Sequence, residues 1–202
     1  MKKKLSTKKI ALIGLLGGLG AVLMYIQCPL PFMPPFLSFD LAAVPELIGA
    51  FALGPVASIL IVLVKMTIQL LLKGTNSMMT GELQGLLLNL AFVLPVAIIY
   101  KRNKTKKGAI IGLACGSLAC TLTSVFTNLY IIIPFYVNLN GMAMDQIIKS
   151  CTLVNPNMNS LFTMAILGIA PFNLIKCLLN ALVTLILYKK ISPIIHKYAN
   201  NG

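Results

Sequence analysis

The chain has 202 residues, 58% of them hydrophobic and 10% charged, with a mean hydropathy of +0.91 and a formal net charge of +13. A soluble domain of this size has no interior large enough to hide so much apolar surface, so the composition excludes a water-soluble globule and makes the bilayer the solvent. The positive charge also lacks the interleaved aromatics and recognition module of nucleic-acid binding, which leaves membrane lipid as the expected neighbour and nucleic acid as none.

Six apolar runs follow in chain order, and the expected fold is a single all-α integral membrane domain over 1–202. The first span, Ile10–Ile26, is dense in small residues. Gly14-x-x-x-Gly18 and Gly17-x-x-x-Ala21 lay them on adjoining strips, a pattern that lets another helix approach closely in lipid. That helix is either one of the chain's own or a partner's. No small-residue cleavage site follows, so the basic N-terminus reads as the start of a span rather than a signal peptide.

Between Cys28 and Asp40 stand four prolines among apolar residues. Proline removes an N–H and fixes φ, so the segment cannot be helical. It is either an apolar lid over a cavity at one membrane face or a stiff connector. The second span, Leu41–Leu53, is short and places Pro45 and Glu46 in its first turns, where both are tolerated. Gly54-Pro55 turns the chain into the third span, Val56–Leu72. There Lys65 lies near the bilayer centre, which is costly for a charge; it serves either a function or an internal pair with Glu46.

Thr80-Gly81-Glu82 opens the fourth span, Leu83–Tyr100, which carries Gln84, Asn89 and Pro95. The basic stretch Lys101–Lys107 leads to the fifth, Ala109–Ile133, which holds Thr127 and Asn128. Pro134–Asn159 is expected to hold a short interfacial helix. The last apolar stretch, Leu161–Tyr188, is too long for one simple crossing, and Pro171 is expected to divide it, with the sixth span running 172–188. Thirteen of the 17 Lys and Arg fall in the segments around Lys2–Lys9, Lys101–Lys107 and Lys189–Lys197, whereas Asp40, Glu82 and Asp145 fall on the other side. By the positive-inside rule both termini are cytoplasmic and the Pro-rich loop between helices 1 and 2 is outside.

Asn173, Lys176 and Asn180 recur at i, i+3 and i+7, one polar stripe on an apolar helix. Lys176 stands thirteen residues before Lys189, roughly 20 Å from the inner face and so in the outer third of the core. Asn128, Gln84 and Asn89 reach similar depths, and Asp40 and Glu82 rim the same face. The polar groups converge beneath the proline segment, which points to a ligand pocket over structural hydrogen bonding. No phosphate-binding loop and no Ser/His/Asp set is present, and the five cysteines form neither a CxxC pair nor a metal-ligand spacing. The expectation is capture rather than catalysis: no enzyme, no metal, no cofactor.

Pro29-Leu30-Pro31-Phe32-Met33-Pro34-Pro35-Phe36-Leu37, then Asp40 and the run Val44–Pro55, resemble the riboflavin-specific substrate-binding subunits (S components) of energy-coupling factor (ECF) transporters. Thr127-Asn128 and Pro171-Phe172-Asn173-Leu174-Ile175-Lys176 are similar to that family's fifth and sixth helices. The resemblance implies six helices around one vitamin near the outer face, with riboflavin as cargo. It also implies a membrane scaffold subunit and two ATPase subunits as partners. On this resemblance the apolar slot for the flat ring falls to Phe36, Leu37, Leu41 and Met79, with Met78 as an alternative to Met79. The polar edge falls to Asn128, Asn173, Lys176, Asp40, Glu82 and Asn89. Docking of the scaffold falls to Gly14, Gly18, Gly17 and Ala21 on helix 1, where the family's usual alanines are glycines. An S component for another vitamin, an intramembrane enzyme (disfavoured because the polar residues include no nucleophile–base pair) and a membrane structural subunit without a ligand are the competing readings.

Overall fold

The computed structural model describes residues 6–29, 37–75, 79–140 and 144–200. Helix α1 runs Thr7–Tyr25, α2 Ala43–Leu53, α3 Pro55–Lys73 and α4 Thr80–Arg102. Helix α5, Lys106–Thr127, passes through a π turn (Asn128–Ile132) into α6, Ile133–Asn140. The short α7, Met144–Thr152, follows. Then α8, Leu161–Met164, passes through a second π turn (Ala165–Ile169) into α9, Ala170–Asn200. Among the described residues, five helical stretches are long and apolar enough to cross a membrane, and α2 is a sixth, shorter apolar helix.

Helix α2 is buried from Ala43 through Phe51, surrounded by α1, α3, α4 and α9. A helix apolar on every side belongs in such a centre, where no face needs to meet solvent or lipid. Its neighbour approaches closely: a Cβ on Gly49 would run into the Ile61 side chain. At Gly54 the backbone adopts φ +87°, open to glycine without strain, and Pro55 then occupies the first turn of α3. The Glu46 carboxylate on α2 meets the Lys65 ammonium on α3, both essentially inaccessible. Of the two roles open to Lys65, the internal pair is the one formed.

Helices α4 and α5 form an antiparallel hairpin along a glycine stripe, Gly108-x-x-x-Gly112-x-x-x-Gly116. A Cβ at Gly112 would press on the Val96 carbonyl oxygen at 3.2 Å, and one at Gly116 would collide with the Phe92 carbonyl. Small residues let these backbones meet where lipid supplies no hydrophobic drive for association. Near the basic end, Phe51 packs on Tyr100 (4.7 Å between ring centroids) and on Tyr188 (5.1 Å), beside Lys101 and Lys189. Aromatic rings followed by cations mark a membrane interface.

Two elements depart from expectation. Pro171 does not divide the last apolar stretch: the helix runs on through it, 30 residues from Leu161 to Lys190. The π turn just upstream widens the backbone where the proline ring would otherwise crowd the preceding carbonyls. Pro134 follows the other π turn at the same offset. The second departure is a two-residue antiparallel ribbon, β1 (Cys28–Pro29) with β2 (Ser38–Phe39), pairing Cys28 with Phe39 and Pro29 with Ser38. It fastens together the two ends of the proline segment. The segment's middle, residues 30–36, lies outside the described residues, as does Met78.

Candidate ligand-binding site

At the end of the bundle opposite the basic residues lies a cavity of about 620 Å³. Two helices show the polarity of the bundle. Helix α1 begins at Lys8 and Lys9 and ends at the cavity with Met24. Helix α4 begins at the cavity with Gly81 and Gln84 and ends at Lys101 and Arg102. From Gln84 to Lys101 is roughly 25 Å of helix at about 1.5 Å per residue.

The polar side of the cavity is built from α9 and the segment leading into α2. Lys176 Nζ donates to Asp40 Oδ2 at 2.7 Å, a contact between residues 136 positions apart. Asp40 is 7% exposed and Lys176 27%. The carboxylate is fixed from other sides as well: Oδ1 accepts the Ala42 N–H (3.0 Å), and the Asp40 backbone carbonyl accepts Asn180 Nδ2 (3.1 Å). That same Asn180 amide donates to the Lys176 carbonyl (2.9 Å). The Asp40 carboxylate is thus held by a backbone N–H as well as by Lys176, while the ammonium keeps two of its three donors for whatever enters the cavity.

The two π turns supply the other walls. Asn128 and Ile132 come from the first, with Ile133 just beyond; Ile169 ends the second, with Phe172 and Asn173 one turn on. A π turn carries one extra residue and appears often at functional sites; here the two sit side by side around one space. Asn173 Nδ2 donates to the Ile169 carbonyl (2.9 Å) and Asn128 Nδ2 to the Ser124 carbonyl (2.8 Å). Each asparagine is oriented by its own helix, with its amide oxygen and second N–H still available. Leu37 and Leu88 add apolar wall, and Gln84 a further amide. A volume in this range, mostly apolar with a few fixed polar groups, suits one drug-sized organic molecule. Among the described residues, no group of His, Cys, Asp and Glu could hold a metal ion.

The cavity thus brings together Leu37, Asp40, Asn128, Asn173 and Lys176 of the residues expected from the sequence. Asn89 lines a smaller chamber of about 110 Å³ beneath it, shared with Asp40, Asn173 and Lys176, and its Nδ2 is held by the Gly85 carbonyl (2.7 Å). Leu41, Met79 and Glu82 line neither space. Leu41 packs with the α1–α3 cluster, and Met79 sits half-exposed at the head of α4 with φ +69°. The Glu82 carboxylate accepts the Thr75 hydroxyl at 3.1 Å. Phe36 lies outside the described residues.

On α1 the two small-residue strips separate. A Cβ on Gly17 would strike Val64 of α3, and Ala21 is 1% exposed. Gly17 and Ala21 are thus spent on internal packing and are not available to a partner. At Gly14 and Gly18 a Cβ would meet nothing within 4 Å.

The sequence reading missed the contribution of α7, whose Gln146, Ile147 and Ser150 close the cavity at i, i+1 and i+4. Strong amphipathicity in an otherwise loop-like stretch was the available signal. Beside them, burial pushes the Cys151 thiol above its ordinary range, with the Ser150 hydroxyl pulling weakly the other way. Gln27 and Ser38, flanking the proline segment, were also missed.

Comparison with known proteins gives a consistent result. The family "ECF transporter, substrate-specific component" matches residues 8–188. A protein of Staphylococcus aureus named riboflavin transporter RibU is 29% identical over 92% of this chain and 90% of its own length. Bacillus subtilis riboflavin transporter FmnP is 27% identical over 94% of each. A solved structure described as the S component of a bacterial ECF transporter superposes with a TM-score of 0.72 at 27% identity, covering 93% of this chain and 97% of that one. With a multi-pass apolar bundle, a polar-edged cavity at one end of it and a family match over nearly its whole length, the chain belongs to the substrate-specific components of ECF transporters.

Proposed function

We propose that this protein is the riboflavin-binding S component of an ECF-type vitamin uptake transporter. It captures riboflavin near the outer face of the cell membrane and delivers it inward with an energising module. The observation that carries the reading is the cavity in which apolar walls from two π turns meet Asn128, Asn173 and Lys176. A flat tricyclic ring needs such an apolar slot, and its pyrimidine edge alternates donors and acceptors that asparagine amides can match. The relatives named riboflavin transporters support this choice of vitamin.

Orientation follows from charge. The basic ends of α1, α4, α5 and α9 lie on the cytoplasmic side with both termini, and the cavity faces outward, with Gln27, Leu37 and Ser38 from either side of the proline segment in its wall. Six spans result when α2 is counted with the five longer helices. The open Gly14–Gly18 strip on α1 is the docking face for a membrane scaffold subunit. ATP is hydrolysed by two separate ATPase subunits, and this chain catalyses nothing.

Purification from riboflavin-containing medium tests the reading. The expected product is yellow, shows flavin absorbance and quenches riboflavin fluorescence on titration. A folded, colourless protein that quenches nothing overturns it.

A further inference from the structure

The riboflavin reading leaves open how the site treats a phosphorylated flavin, and the charges around the cavity answer it. Among the described residues lining the 620 Å³ cavity, the charged ones are Asp40 and Lys176, and they are paired at 2.7 Å. The smaller chamber beneath adds Lys65, which is itself paired with Glu46. The wall therefore offers a ligand hydrogen-bond donors without net charge. Lys176 alone would make the cavity cationic and attractive to any phosphate ester.

Asp40 is tied beside that ammonium from two sides. Its Oδ1 is held by the Ala42 N–H, and its carbonyl by the Asn180 amide, which is fully buried. We infer that Asp40 is a specificity-determining residue: it cancels the charge of Lys176 and sets the site for neutral riboflavin over its 5′-phosphate. This rests on the riboflavin reading. A phosphate monoester carries about −1.5 to −2 charges at pH 7. Roughly 10 Å from an unopposed ammonium, at an effective dielectric of about 20, it would gain at least about tenfold in affinity at low salt.

The test is fluorescence titration of the purified full-length protein with riboflavin and with riboflavin 5′-phosphate. The readout is the ratio of the two dissociation constants. Asparagine at position 40 can satisfy only one of the Ala42 N–H and the Lys176 ammonium, so absolute affinities fall; the ratio isolates charge.

In Asp40→Asn the ratio is expected to move at least about tenfold toward the phosphorylated flavin. In Lys176→Gln, which leaves the carboxylate unopposed, it is expected to move as far the other way. The double variant should return close to the wild-type ratio, and about 0.5 M salt should shrink both single-variant shifts. Ratios unchanged in both single variants overturn the inference while leaving the riboflavin reading intact. If one single variant loses both flavins, the other decides. Loss in both also overturns the inference, because the pair is then needed for the site to exist and not for its selectivity. A wild-type protein that binds neither flavin overturns the riboflavin reading and this inference with it.

Discussion

Two lysines stand on helices that cross the bundle, and each meets one carboxylate, yet their surroundings differ. Lys65 and Glu46 are buried between α3 and α2 at 1% and 0% exposure, Lys65 reaching only the small chamber beneath the main cavity. Lys176 is 27% exposed on the cavity wall, and its partner Asp40 is held by a backbone N–H and by Asn180 as well. Desolvation offsets much of a buried pair's attraction, so such a pair adds little to stability, although removing one partner is severe. A pair at the edge of a cavity keeps donors free and can act on a ligand. The difference teaches that a charge inside a membrane helix marks function only where the packing leaves it a face to work on.

The largest effect should come from breaking the buried pair. Lys65→Met strands the Glu46 carboxylate in an apolar centre at a cost of about 3–5 kcal/mol. Melting of the detergent-purified protein should show most of the folded population lost, and Glu46→Leu together with Lys65→Met should restore much of it. A Lys65→Met protein that melts like wild type would erase the distinction between the two pairs.

Next comes an inward position without charge. Gly17→Leu forces a side chain into Val64 and should cost about 1–3 kcal/mol through overpacking. Unchanged thermal stability would mean that α1 can pull away from α3.

At the cavity pair the consequence should be read on the ligand. Lys176→Ala and Asn173→Ala are each expected to weaken riboflavin binding by about 1–3 kcal/mol, with less loss of unliganded stability than Lys65→Met. Wild-type affinity in both variants, measured by flavin quenching, would move the site elsewhere.

The smallest change in the isolated subunit is expected at the open strip. Gly14→Leu and Gly18→Leu should shift stability by no more than about 0.5 kcal/mol and leave riboflavin binding intact, while uptake by cells fails. If binding fails along with uptake, the strip serves the site and not a partner.

Glycines repeat the lesson of the lysines. On α5, Gly112 and Gly116 share the four-residue spacing of Gly14 and Gly18, but they press against α4 whereas the α1 pair faces outward. Spacing establishes that small residues share a face. It carries no information on what that face meets.

The same limit explains which parts of the site were legible. Asn173 and Lys176 could be read because they lie on one helix after its π turn, where 3.6-residue periodicity holds. Depth puts Glu82 at the right face and the resemblance puts Leu41 and Met79 in the slot, but neither says anything about rotation around a helix axis. Gln84 lines the cavity with Gly85 and Leu88, whereas Asn89, one position further round, reaches only the chamber below.

What the sequence by itself determined is what depends on local composition. Long apolar runs impose membrane-crossing helices because lipid cannot satisfy an unpaired backbone. Basic blocks mark one end of the helices, and a polar stripe on α9 survives any packing of that helix. Only the tertiary structure decided that Lys176 meets Asp40 and not Glu46, that Gly17 faces inward while Gly14 faces out, and that α7 closes the cavity. These outcomes depend on how each helix is rotated and tilted against the others. The π turns at Asn128–Ile132 and Ala165–Ile169 add a physical reason of their own. One extra residue turns every later side chain by about 100°, so periodicity extrapolated across either turn points at the wrong neighbour.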